Sequence, residues 1–271
     1  MTATRARRER VLQLQERLRA LADVPPPDDW LPVDLGAHQI GITSPETASF
    51  LATTEPACSL LDYRLVIEDP DGGVPACTAL LNRIAGSLRD DGFVRGWRNE
   101  QLDVRTPAVA GALATIERAA CRALGIPTHA VHMNAFDHAG RLVVARRADD
   151  KPIDPGLWDN LVGGMVASGE DEMLALERET KEEAGLRLSQ LAVTRGGLVR
   201  ERRPVVEGYM IETVQVFDTH LPAGTTPRNE DGEVARIEAR EIDDVLAAID
   251  RGEFTLESAL VTVDALLRRM T

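Results

Sequence analysis

Cysteine is scarce in this chain, three residues in 271, and the number is odd. Cys58, Cys77 and Cys121 show neither a disulfide framework nor metal-ligand spacing, so they read as reduced thiols and place the protein in a cytoplasmic compartment. No stretch is long and apolar enough to cross a bilayer as a helix. The arginine-rich N-terminus lacks the apolar run that follows the charged region of a secretory signal. Positive charge is short overall: the formal net charge of −13 excludes a non-specific binder of nucleic-acid polymer or of an anionic membrane, since both need a basic footprint. An acidic protein acting on a phosphorylated compound needs a divalent cation to offset the repulsion. There is no internal repeat and no low-complexity tract.

What remains is an ordinary globular composition, 44% hydrophobic, with room for one large domain or two modest ones. Val11, Leu14, Leu18 and Leu21 mark one face of a first helix, which Pro25, Pro26 and Pro27 stop. Short strands are expected at 39–43 and 63–68, and Asp69-Pro70-Asp71-Gly72-Gly73 reads as a turn. Helices are expected over 74–89 and 108–124, the second ending at Gly125, with Gly96-Trp97-Arg98-Asn99-Glu100 between them. Near Pro127 the pattern changes to alternating strands. Residues 129–136, the turn 137–140 and 141–147 predict a hairpin, followed by strands over 192–203, 209–219 and 234–239, with Val214 and Val216 on one face. Two helices, 241–249 and 256–270, close the chain. The expected division is therefore 1–126, a smaller mixed α/β domain, and 127–271, a mixed sheet sandwiched between helices.

The stretch from Gly163 to Leu186 carries the chemistry. It reads as glycine loop, acidic helix, glycine stop. Asp171 is placed to cap the helix and Gly185 to end it, while Met173, Leu176, Thr180 and Ala184 form an apolar stripe. Glu179, Glu182 and Glu183 share a neighbouring face, and three carboxylates on one turn gain nothing from crowding unless a cation sits among them. Hard oxygen ligands at this density suit Mg²⁺ or Mn²⁺. Arg178, four residues before Glu182, can orient one carboxylate and leave the others for metal.

The same segment resembles the Nudix box: Gly164, Glu170, Arg178, Glu179, Glu182, Glu183, Gly185 and Leu186 fall on its fixed slots, and Thr180 alone departs, in an aliphatic slot that concerns packing. The resemblance implies the Nudix fold from about Thr128 onward and a metal-dependent hydrolase of phosphoanhydride bonds. It also implies that the Gly164 carbonyl completes the coordination and that Glu170 supports through Arg178. A narrower likeness, in Trp97-Arg98-Asn99-Glu100, residues 116–120, His132-Met133-Asn134 and the run from Lys151 to Gly164, is to a two-domain Nudix subfamily whose N-terminal region is related to thiamine pyrophosphokinase.

The attacking water needs a base, which Nudix families take from the box or from a later loop. Here Asn229-Glu230-Asp231-Gly232-Glu233 puts acids before a strand, and Glu233, next to the strand, is the expected base or additional ligand beside Glu182 and Arg178 in the catalytic set. Arg146, Arg147 and Lys151 are candidates for phosphate contact, and Trp158 for stacking on a substrate ring. His129, His132 and His138 have no metal-binding spacing and are expected to be structural or solvent-facing. The substrate expectation is a small-molecule diphosphate: thiamine diphosphate or its oxidised analogues, with nucleoside diphosphate compounds as the alternative. Two further alternatives are an isopentenyl diphosphate isomerase-like enzyme, whose relatives use a cysteine, and a non-catalytic metabolite sensor. The first domain is expected to serve in substrate selection or as a homodimer contact.

Overall fold

Helix α1 (Ala3–Ala22) buries Val11, Leu14, Leu18 and Ala22 on one face. Leu21, expected on that stripe, is 54% exposed, because eleven residues complete three helical turns and bring Ala22, not Leu21, back beneath Val11. The computed structural model describes residues 3–151 and 153–270, and in it α1 packs into the core of the C-terminal unit. By packing, the N-terminal unit therefore begins near Leu31, not at the start of the chain. The outermost residues of the 1–126 and 127–271 division lie outside the described residues.

The N-terminal unit comprises β1 (Leu31–Leu35), β2 (His38–Thr43), α2 (Pro45–Thr54), β3 (Cys58–Leu61), β4 (Arg64–Ile67), α3 (Gly73–Asp90), β5 (Gln101–Val104) and β6 (Ala114–Glu117). Its sheet runs β2-β1-β4-β3, with β1 and β4 parallel. Leu80, Leu81, Ile84 and Leu88 of α3 fill the core against it.

The helix expected over 108–124 is absent; β6 and a single 3-10 turn, Arg118–Ala120, stand there instead. The alanine-rich run is helical by local preference, but α3 supplies better partners. The Thr115 amide donates to Thr78 Oγ1 (2.9 Å), the Glu117 amide donates to Asn82 Oδ1 (3.0 Å), and Asn82 Nδ2 donates to the Thr115 carbonyl (3.1 Å). These bonds hold the segment extended beside β5, a tertiary override of propensity.

The C-terminal unit comprises β7 (Thr128–Phe136), β8 (Leu142–Arg147), β9 (Trp158–Asn160), β10 (Val162–Met165), α4 (Glu172–Ala184), β11 (Val193–Val205), β12 (Gly208–His220), β13 (Val234–Arg240), α5 (Ile242–Asp250) and α6 (Leu256–Arg268). Its mixed sheet runs β11-β12-β7-β8-β13, with β10 on β7 and β9 on β8. The β12–β7 pairing is parallel, and the other pairs of named strands in this sheet are antiparallel. Alternation along β7 sends Val131, Met133 and Ala135 toward α4, and Ala130 and Phe136 toward α1, α5 and α6 with Val214 and Val216. The sheet is thus covered on both faces by helices.

The two units meet through close backbone contacts. A Cβ on Gly208 (φ +143°), at the start of β12, would lie 2.2 Å from the carbonyl oxygen of Arg122 in the N-terminal unit. Only glycine admits this approach, which the Tyr209 amide seals by donating to the same Arg122 carbonyl at 2.9 Å. On the other side of the linker the Ser168 amide donates to the Gln101 carbonyl (2.8 Å), binding the loop before α4 to β5.

Candidate active site

Helix α4 starts where Asp171 Oδ1 accepts from the Met173 and Leu174 amides, each at 2.9 Å, and stops at Gly185 with φ +61°. Leu176, Thr180 and Ala184 are buried, as is Ala175, but Met173 is 46% exposed and the first turn of the expected stripe faces solvent.

Arg178 is the hub of the site. Its Nε and Nη2 donate to the two oxygens of Glu170 at 2.8 and 2.9 Å, and Nη2 also donates to the Met165 carbonyl at 3.0 Å. Its Nη1 donates to Glu179 Oε1 (2.6 Å) and Glu182 Oε2 (3.3 Å). The bidentate pair with Arg178 holds the Glu170 carboxyl below its usual range against the opposing effect of burial. Glu179 and Glu183 go the other way. Burial pushes Glu179 up to about 7, with Arg178 opposing and the charges of Glu182 and Glu100 adding to the rise. Burial and the neighbouring Glu179 charge raise Glu183 well above the carboxylate range, although its Oε2 accepts from the Gly163 amide at 2.8 Å. Glu182, with its side chain 44% exposed, is the most accessible of the three.

Gly164 lies directly under this cluster: a Cβ there would stand 1.9 Å from Glu179 Oε1. The donor set fits a hard divalent cation, being carboxylate oxygens crowded on one helical turn against a side-chain-free backbone. Among the described residues no three His, Cys, Asp or Glu side chains are gathered into a metal cage, and it is the Arg178 guanidinium that bridges Glu179 and Glu182.

The other expected site residues divide. Lys151 Nζ lies 2.5 Å from Glu233 Oε2, and its charge reaches Glu183, so it belongs to the site. Glu233 has both oxygens paired, Oε2 with Lys151 and Oε1 with Arg98 Nη1 at 3.3 Å. Burial raises its pKa, but the Lys151 bond and the charges of Lys151, Arg98 and Arg118 outweigh this and leave it below the ordinary value. Both oxygens of Glu233, the expected base or additional ligand, are thus engaged by cations, which weakens a carboxylate as a proton acceptor.

Arg147 donates to the carbonyls of Ile153 (2.9 Å) and Asp154 (3.1 Å) and to Asp159 (3.0 Å), so it braces the loop ahead of β9 instead of offering a free guanidinium to phosphate. Arg146 likewise donates to the Gly156 carbonyl (3.1 Å) and to Asp149 (2.9 Å). Trp158, the candidate for stacking, is 8% exposed within the α6-side core, with Arg236 and Arg240 each 5.1 Å from its ring centroid. His132, one of the expected structural histidines, is buried between Asn160 (2.8 Å) and Glu257 (3.1 Å).

Three further site neighbours lie in the segments of the narrower likeness, which gave them no individual role. Glu100 acts on Glu179, Asp159 on Glu183, and Arg118, paired with Glu100, on Glu233. Glu100 and Arg118 come from the N-terminal unit, and only the folded contact between units brings them to the box.

The NUDIX domain family matches residues 127–259. Nudix hydrolase 20, chloroplastic, of Arabidopsis thaliana is 30% identical over 189 residues, 67% of this chain and 50% of that protein. Isopentenyl-diphosphate Delta-isomerase of Streptomyces griseus is 37% identical over 137 residues, 48% of this chain and 67% of that protein. Among solved structures, DR0079 of Deinococcus radiodurans aligns with a TM-score of 0.46 at 24% identity, covering 63% of this chain and 99% of that one. The chain spans about half the length of the first curated relatives it matches.

Proposed function

Residues 127–259 are a Nudix domain, and from that premise we propose that the protein is a metal-dependent pyrophosphohydrolase that cleaves the diphosphate of a small X-linked diphosphate. The observation that carries this reading is the turn of α4 that gathers Glu179, Glu182 and Glu183, the first two bridged by Arg178 and the third bonded to the Gly163 amide, with Gly164 pressed beneath Glu179. Glu179, Glu182, Glu183 and the Gly164 carbonyl would hold Mg²⁺ or Mn²⁺. Such an ion neutralises charge that develops on the phosphoryl oxygens and lowers the pKa of bound water.

The protein's own groups do the rest. Arg178, locked by Glu170 and the Met165 carbonyl, fixes the directions of the Glu179 and Glu182 carboxylates. Glu182, accessible and ungated by burial, is the box group placed to orient and deprotonate the attacking water. Lys151, whose charge reaches Glu183, offers positive charge to the departing phosphate.

For the attached group we propose thiamine diphosphate or its oxidised analogues, on the likeness of Trp97-Arg98-Asn99-Glu100 and the linked segments to the two-domain subfamily; nucleoside diphosphate compounds are the alternative. The isomerase reading is disfavoured by the thiols: Cys58, Cys77 and Cys121 are all buried in the core of the N-terminal unit, and burial pushes Cys58 and Cys121 up to about 12. The deciding experiment is a panel of diphosphates, with oxidised thiamine diphosphates and nucleoside diphosphate compounds included, assayed for phosphate release with Mg²⁺ and Mn²⁺. Turnover of at least one compound with release of phosphate or of a phosphorylated half is expected. Inertness toward the whole panel, or an isomerised product without phosphate release, overturns the reading.

A further inference from the structure

The loop Gly96–Glu100 of the N-terminal unit is built to hold its side chains over the box. The amides of Arg98 and Glu100 donate to the two oxygens of Glu117, at 2.9 and 3.1 Å, and Glu117 is fully buried. Asn99 sits at φ +58°, a left-handed conformation that asparagine tolerates better than most residues, and its Oδ1 accepts from the Trp97 indole at 2.9 Å. Arg89 covers the Trp97 ring at 4.5 Å. The Arg118 amide then donates to the Glu100 carbonyl (2.9 Å), and the Arg118 side chain pairs with the Glu100 carboxylate. A buried carboxylate spent on two loop amides, with a left-handed residue between them, fixes the direction in which Arg98 leaves the backbone.

That direction is toward the catalytic unit. Arg98 Nη1 meets Glu233 Oε1 at 3.3 Å, and Lys151 Nζ meets Glu233 Oε2 at 2.5 Å, so two cations from different units share one carboxylate. The loop carrying Glu233 is itself tied to the box, since the Glu230 amide donates to the Glu182 carbonyl at 2.9 Å. Glu100, two residues along, adds its charge to the surroundings of Glu179. Two positive charges against one negative charge leave a surplus at the mouth of a site otherwise lined by acids. Arg98 is also 37% exposed, and an ion pair at that exposure is weak enough to exchange for a stronger partner. A diphosphate oxygen pair is such a partner for a planar guanidinium.

We infer that Arg98 is a substrate-binding residue of the box site, contributed across the unit boundary, with Glu233 holding it and Lys151 in place until the diphosphate substrate arrives. The N-terminal unit thereby completes the active site. The inference rests on the reading of the box as a diphosphate site, and its test separates the two.

Arg98→Ala and Arg98→Lys are compared with the full-length wild type in three measurements: steady-state kinetics on the best diphosphate of the panel, binding of inorganic pyrophosphate with Mg²⁺ by calorimetry, and thermal midpoint. Loss of one charge-assisted contact is expected to raise KM and weaken pyrophosphate binding by about tenfold or more, with partial recovery in Arg98→Lys. The thermal midpoint is expected to stay near wild type, because the loop is held by its backbone bonds to Glu117. An active wild type with unchanged KM in Arg98→Ala overturns the inference and leaves the hydrolase reading intact. So does a midpoint that falls without any change in KM or pyrophosphate binding, the signature of a merely structural inter-unit ion pair. A wild type that binds Mg-pyrophosphate through Arg98 but hydrolyses nothing sustains the inference and sinks the hydrolase reading. A wild type that neither turns over nor binds pyrophosphate overturns both.

Discussion

The amide of Glu230 donates to the carbonyl of Glu182 at 2.9 Å, so the acidic loop ahead of β13 is pinned to the turn of α4 that presents the box carboxylates. The pin brings Glu233 close to the box, yet its carboxylate turns to Lys151 and Arg98. Proximity in the fold and a role in proton transfer are separate matters here.

The first prediction follows from that separation. Glu233→Gln should keep kcat within about threefold of wild type, since a half-exposed ion pair contributes little, while Glu182→Gln should lose about a hundredfold or more. Parallel kcat measurements on the two variants check this, and a collapse in Glu233→Gln would restore Glu233 as the base.

Replacing a crowded, buried carboxylate by its neutral isostere should stabilise the metal-free fold. Glu183 is buried beside Glu179 and its pKa is raised well above the usual range, so its ionised form is disfavoured in the fold. Glu183→Gln is expected to lose Mn²⁺ affinity and activity while its thermal midpoint in chelator stays level or rises. A fall in that midpoint would mean that Glu183 is chiefly structural.

Gly164 admits no side chain, because a Cβ would meet Glu179 Oε1 at 1.9 Å. Gly164→Ala should therefore displace that carboxylate and weaken Mn²⁺ binding by about ten- to a hundredfold, in the manner of a disturbed ligand orientation. Titration of Mn²⁺ into both proteins reads the effect; equal affinities would remove Gly164 and Glu179 from the coordination.

The pH dependence of stability has a predicted sign. Burial, together with the Glu257 charge, pushes Glu201 up to about 7 from 4.5, and its Oε2 is buried without a hydrogen-bond partner. Between pH 4.5 and 7 the folded protein holds a proton there that the unfolded chain has released, so this residue makes stability fall as pH rises through that window. Glu201→Gln should flatten part of the fall and raise the thermal midpoint most at pH 7 and above. Denaturation curves across the window would refute this if the variant kept the wild-type slope.

The sequence by itself determined the catalytic half. The helical period placed Glu179, Glu182 and Glu183 on one turn with Arg178 among them, and Asp171 and Gly185 marked its ends, because capping and side-chain periodicity are local properties of the chain. The hairpin of β7 and β8 and the long strands β11 and β12 were legible for the same reason. What local pattern could not decide was partnership. Trp158 and Arg147 have the residue types of a binding site, but the first is held in the core and the second braces carbonyls of its own loop. The segment 114–117 gave up a helix because Thr78 and Asn82, far back in the chain, offered its amides and carbonyls better bonds. α1 left its neighbours in sequence to cover the far face of the C-terminal sheet. Arg98 and Glu100 reached the box because the two units close to backbone contact, Gly208 against the Arg122 carbonyl and the Ser168 amide on the Gln101 carbonyl. Each of these rests on contacts between residues distant in sequence, and only the tertiary structure fixes which partner wins.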